Sequence, residues 1–102
     1  HIDLDYLAKH NIGFARAPAS NAISASEYVI TAIAYWSKKN TIDWSSLSIG
    51  IIGCGNVGSR VKARCEAVGI KCIVNDPPLA EHKNNQGVDD FRGIEAALAC
   101  DI

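Results

Sequence analysis

The fold is decided by residues 47–76, Leu-Ser-Ile-Gly-Ile-Ile-Gly-Cys-Gly-Asn-Val-Gly-Ser-Arg-Val-Lys-Ala-Arg-Cys-Glu-Ala-Val-Gly-Ile-Lys-Cys-Ile-Val-Asn-Asp. Leu47 to Ile52 is an almost unbroken apolar run rich in Ile, the pattern of a strand buried on both faces of a parallel sheet. A glycine-rich turn follows. Val57, Val61, Ala63, Arg64, Cys65 and Val68 then mark a helix, which Gly69 ends. Ile70 to Val74 is a second β-rich run that stops at Asn75-Asp76. Strand, glycine turn, helix, strand is a βαβ unit, and the expected class is α/β with helices on both faces of a parallel sheet.

The turn Gly53-Cys54-Gly55-Asn56-Val57-Gly58 has the G-x-G-x-x-G spacing of a Rossmann dinucleotide fingerprint, and it stands where that chemistry needs it, after a strand and before a helix. Gly53 permits the tight turn, Gly55 lets a pyrophosphate approach the backbone, and Gly58 lets the helix pack against the strand. The N–H groups near Asn56 and Val57 are then directed at the phosphates, and the helix dipole favours their charge. Asp76 follows at the end of the second run, eighteen residues beyond Gly58. A carboxylate there can accept from both adenosine ribose hydroxyls and would repel a 2′-phosphate, and no Arg follows it. NAD is expected rather than NADP. The cofactor-binding set is Gly53, Gly55, Asn56, Val57, Gly58 and Asp76. Two other readings stay open: a flavin or another adenine nucleotide, and a purely structural turn with Asp76 as a solvated acid.

On the N-terminal side, Asp3 should cap a short helix through Lys9, with Asn11 and Gly13 ending it. Ile12 to Ala15 reads as a short strand and Ala17 to Asn21 as a turn. Ser24 and Glu27 have capping-box spacing, ahead of helical periodicity in Ala25, Val29, Ala32, Ile33 and Trp36. Beyond Asp76, Pro77-Pro78 should forbid both helix and ladder, so residues 79–90 are expected to be a polar loop. A short helix from Gly93 to Ala99 and a third strand at Asp101-Ile102 complete the reading.

With 10 Lys and Arg against 11 Asp and Glu, the net charge is −1. No basic surplus favours nucleic acid. No apolar run reaches the roughly 18–20 residues of a bilayer span. The four cysteines, Cys54, Cys65, Cys72 and Cys100, form no C-x-x-C pair, and His1, His10 and His82 do not cluster with them. No metal site is expected. Cys65 and Cys72 read as small buried hydrophobes and Cys54 as a side chain packed under the turn. His1 and His10 read as helix-end or surface groups, and Trp36 and Trp44 as packing residues. Reduced thiols suit the cytoplasm. The sequence has no Met, and both ends read as cut, so an internal fragment is expected.

Three further stretches carry a resemblance: His1-Ile2-Asp3, Ala17-Pro18-Ala19-Ser20-Asn21-Ala22-Ile23, and Glu27-Tyr28-Val29. With the glycine turn, the chain resembles the D-2-hydroxyacid dehydrogenases over essentially its whole length. Asn75-Asp76-Pro77-Pro78 and Asp90-Phe91-Arg92 are similar to members that act on a phosphorylated 2-hydroxy acid. The resemblance implies that residues 1–22 end a substrate-binding lobe. Residues 23–102 would then hold an interdomain helix and the first half of a Rossmann NAD domain. It also implies contacts from Asn56, Val57 and Asp76 to NAD, and a homodimer of the full-length enzyme. The family's catalytic Arg, Glu and His would lie further along, so none is assigned here. A different D-2-hydroxyacid dehydrogenase, such as one acting on 3-phosphoglycerate, and a non-catalytic NAD-binding domain remain alternatives.

Overall fold

The computed structural model describes residues 2–84 and 91–102, without the side chains of 83 and 84. Two strands, β1 (Ser48–Ile52) and β2 (Lys71–Asn75), pair in parallel with Ile49 opposite Cys72 and Ile51 opposite Val74. The described residues also form five α-helices: α1 (Leu4–Lys9), α2 (Ala22–Asn40), α3 (Gly58–Ala67), α4 (Pro77–Asn84) and α5 (Ile94–Leu98). The α/β class and the βαβ unit read from the sequence are both present.

Alternation along β1 assigns the layers. Ile49 and Ile51 point to one face, where they join Ile33 of α2, Val61 and Cys65 of α3, and Leu47, Ile70 and Val74 in one buried cluster. Gly50 points to the other face. A Cβ built there would overlap the carbonyl oxygen of Ala97, so the absent side chain lets α5 lie directly on the strand. Helices therefore cover both faces. The outer face is covered only in part, since Ile52 remains 59% exposed. The apolar run thus alternates in burial, where the sequence suggested burial on both sides.

Further backbone bonds extend the sheet at both edges. Phe91 bridges Val74 in parallel, and the Arg92 N–H donates to the Val74 carbonyl at 2.8 Å. Beyond β1, the Ile102 N–H donates to Ser48 and the Gly50 N–H donates to Ile102, at 3.3 and 2.9 Å. Asp101-Ile102 thus makes the ladder contacts expected of a third strand, although it is not long enough to be assigned as one. Ser48 adds its hydroxyl (2.7 Å) and N–H (2.8 Å) to the Asp101 carboxylate. Those two bonds hold that carboxyl below its ordinary pKa.

Several local expectations change. Residues 12–15 form no strand. An isolated strand needs a partner, and no described backbone pairs with this one. The α2 helix starts two residues before Ser24, with Asn21 at its N-cap, so no capping box forms; the Ser24 hydroxyl instead donates to the Asn21 carbonyl at 3.1 Å. Glu27 meets Arg64 of α3 at 3.6 Å. The largest change is α4, which begins on Pro77-Pro78 themselves. Proline is barred from a helix interior, but the first turn needs no N–H donors and suits its fixed φ. Half of the expected polar loop is therefore helical. Residues 85–90, including Asp90, lie outside the described residues.

Other expectations hold. Asp3 caps α1 by accepting from the Tyr6 N–H at 2.9 Å. His10 ends that helix, with Nδ1 at 2.8 Å from the Tyr6 carbonyl and its ring stacked on Tyr6. His1 lies outside the described residues. Trp44 packs against the core, whereas Trp36 is 40% exposed. No side chain of α1 is buried. The radius of gyration is 17.1 Å, against about 13 Å for a compact chain of this length. The N-terminal segment therefore adds extent and little core.

Cys65 and Cys72 face each other between α3 and β2. Burial raises both thiols, and Cys72 is pushed up to about 12 with added repulsion from Cys65 and Glu66. An acid whose folded pKa is raised contributes stability that is complete below its unfolded value and is lost above it. Urea midpoints should therefore be flat from neutral pH up to about pH 8.5 and fall as pH rises toward 12. At pH 8, Cys72 should resist iodoacetamide in the folded protein and react on unfolding, as read by peptide mass spectrometry. Gly50→Ala should cost about 1–3 kcal/mol through overpacking against Ala97, seen as a lower urea midpoint.

Candidate functional site

The site lies at the carboxyl end of β1. The Gly53 N–H makes the last ladder bond, to the Asn75 carbonyl at 2.8 Å. Gly53 then takes φ +91°, which turns the chain off the sheet in a conformation L side chains rarely adopt. Gly58 opens α3, and a Cβ there would overlap the Gly53 carbonyl oxygen and crowd Ile51. Its smallness lets helix and strand meet, as the motif requires. A Cβ at Gly55 would instead meet nothing within 4 Å, and Gly55 lies outside the left-handed region. Its missing side chain leaves open space above the turn.

Cys54 is half-buried and packs against the core, so the thiol sits under the turn as expected. Among the described residues, the N–H groups of Gly55, Asn56 and Val57 meet no acceptor. They lie at the N-terminus of α3, where the dipole is positive. No side chain caps that terminus, and no acid occupies its first turn. A helix start left in this state has unpaired donors available to an anion.

Asp76 is joined to this turn directly. Its Oδ2 accepts from the Cys54 N–H at 2.7 Å, and its Oδ1 accepts from the Leu79 N–H at 3.1 Å. The Asp76 carbonyl also takes the first helical bond, from Ala80 at 2.8 Å. Asp76 is therefore the N-cap of α4 as well as the neighbour of the glycine turn. An ionised carboxylate has about four acceptor positions. Pro77 and Pro78 have no N–H, so α4 takes up only one of them and Cys54 a second. Two remain, the number a ribose diol uses. Sequence reasoning missed the capping role, although Asp followed by Pro at the first helical position is a helix-start signal.

Asn75, beside Asp76, is 9% exposed and donates from Nδ2 to the Arg92 carbonyl at 2.8 Å. It fixes the Phe91-Arg92 segment to the end of β2. All six residues of the expected cofactor set thus gather at one end of the sheet. The chain also reverses direction across the sheet there: Phe91 lies beyond β2, while Ile102 lies beyond β1. Open α/β sheets bind ligands at such switch points, outside the carboxyl ends of the strands. Among the described residues no group of three His, Cys, Asp or Glu could hold a metal, and no helix is long and apolar enough to cross a membrane.

The arrangement fits a dinucleotide: a turn without side-chain obstruction, unpaired N–H donors on a positive helix end, and a carboxylate with spare acceptor capacity 2.7 Å from the turn. Comparison with known proteins agrees. The family described as D-isomer specific 2-hydroxyacid dehydrogenase, NAD binding domain, matches residues 15–102. An erythronate-4-phosphate dehydrogenase from Chromohalobacter salexigens is 40% identical over 98 residues, covering 96% of this chain and 25% of that protein. The protein of the same name from Colwellia psychrerythraea is 42% identical, covering 100% and 28%. That from Marinobacter nauticus is 39% identical, covering 100% and 27%. The chain spans about a quarter of the length of these relatives.

Asp76→Ala would remove the α4 cap and leave the Cys54 N–H without its acceptor. A loss of about 1–2 kcal/mol is expected, with Asp76→Asn closer to the parent because its carbonyl oxygen can still cap Leu79. Thermal melts of the two variants check this, and equal melting of all three proteins would show that the bridge contributes nothing.

Proposed function

This chain belongs to the D-isomer specific 2-hydroxyacid dehydrogenase family, in its NAD binding domain. From that premise we propose that it forms the NAD cradle of a longer enzyme that oxidises the 2-hydroxyl of 4-phospho-D-erythronate, a step of pyridoxal 5′-phosphate (vitamin B6) biosynthesis. The observation that supports the cofactor assignment is the 2.7 Å bridge between Asp76 and the Cys54 N–H, which ties the carboxylate to the glycine turn. The relatives' shared name supports the substrate.

In this reading Gly53, Gly55 and Gly58 shape the turn, and the Asn56 and Val57 N–H groups hold the pyrophosphate. Asp76 accepts from the ribose hydroxyls and, being anionic, disfavours a 2′-phosphate. Held by these residues, NAD would supply the hydride acceptor for oxidation at the substrate's C2. This chain's residues hold and orient; none is assigned to proton transfer. That work belongs to a His oriented by a Glu carboxylate elsewhere in the enzyme, where an Arg holds the substrate's carboxylate. Residues 1–22 belong to the end of the substrate lobe and residues 23–102 to the NAD domain. The enzyme acts as a homodimer in the cytoplasm.

Gly55→Val tests the cradle with little expected effect on folding, because a Cβ at that position meets nothing. In the full-length protein it should abolish NADH binding by calorimetry while the melting temperature stays within a degree or so. Asp76→Ala should weaken NADH at least about tenfold, the loss of a charge-assisted ribose contact. Normal NADH affinity in Gly55→Val would sink the cofactor assignment. Reduction of NAD at 340 nm should require the full-length protein and 4-phospho-D-erythronate; the same rate with 3-phosphoglycerate would reassign the substrate.

A further inference from the structure

The opening turn of α3 breaks the usual rules for a stable helix start. It has no side-chain cap and no acid, and it carries Arg60, a cation at the positive end of the dipole. Such a choice costs stability unless an anion belongs there. The side chains of this turn also fold back onto the glycine loop. The Ser59 hydroxyl donates to the Gly55 carbonyl at 2.7 Å, alongside the Ser59 N–H at 3.0 Å. Arg60 Nη1 donates to the Asn56 carbonyl at 2.6 Å.

Among the described residues no peptide bond is cis. In a trans peptide the C=O and the following N–H point in opposite directions. Holding the Gly55 carbonyl therefore aims the Asn56 N–H the other way, and holding the Asn56 carbonyl does the same for the Val57 N–H. We propose that Ser59 and Arg60 are positioning residues of the phosphate cradle. They grip two loop carbonyls from the helix side so that the Asn56 and Val57 N–H groups face a pyrophosphate, and Arg60 adds a positive charge behind those peptides, on the helix side of the turn. This rests on the NAD reading above and deepens it. Among the described residues no carboxylate lies within ion-pair distance of Arg60, so its charge is not neutralised by the protein there.

The test measures ADP, NADH and adenosine affinities of the full-length protein by calorimetry at several salt concentrations. Arg60→Met should weaken ADP and NADH about tenfold, the order of one charge-assisted bond, and leave adenosine, which has no phosphate, within about twofold. Arg60→Gln keeps a donor for the Asn56 carbonyl without the charge and should recover part of the loss. Both should flatten the salt dependence of ADP binding, because a cation near the phosphates has gone. Ser59→Ala should weaken ADP with its salt dependence unchanged. Unchanged ADP affinity in Arg60→Met, or an equal loss for adenosine, overturns the proposal. Absence of NADH and ADP binding by the unaltered protein would instead overturn the NAD reading itself.

Discussion

The site is organised by one carboxylate, that of Asp76, shared between two backbone N–H groups that are far apart in sequence. Through Cys54 it holds the glycine turn to the end of β2, and through Leu79 it starts α4. The bonds are charge-assisted and part-buried, the class that contributes most per bond. The turn, the strand end and the helix start are thereby fixed to each other before any ligand arrives. Preorganisation of this kind lowers the ordering cost that binding would otherwise carry.

The second constraint is backbone proximity. Gly58 and Gly50 are small for different partners, one for the loop that precedes α3 and one for α5 on the opposite face. Between them they place a helix close to each side of β1. The cradle is consequently a rigid strand end with a helix anchored behind it. Ser59 and Arg60 belong to the same arrangement, since their grip on Gly55 and Asn56 is possible only because α3 starts immediately after the turn.

The sequence made the sheet and the glycine turn readable because both depend on short-range pattern. Ile49 and Ile51 at period two, the 53–55–58 glycine spacing and the acid at 76 are local signals with a direct physical meaning. Gly50 was not readable, because its smallness answers Ala97, forty-seven residues away. The region after Asp76 was misread for another reason. Pro77-Pro78 was weighed as a helix interior, where proline is excluded, although the same residues suit a first turn. Ser24 and Glu27 had the spacing of a capping box, but tertiary contacts drew Glu27 to Arg64 and the helix began earlier. Asn75, which fastens Arg92 to the sheet, carried no signal that set it apart from an ordinary turn residue.

The paired prolines have a consequence beyond the acceptor count at Asp76. Each ring fixes one φ near the helical value in the unfolded chain as well as in the native one. The disordered state accordingly has fewer conformations to lose where Asp76 meets its helix, an effect typically worth about 0.4–1 kcal/mol per compatible proline. Part of the order around Asp76 is therefore written into the denatured ensemble, and no contact visible in the folded protein accounts for it.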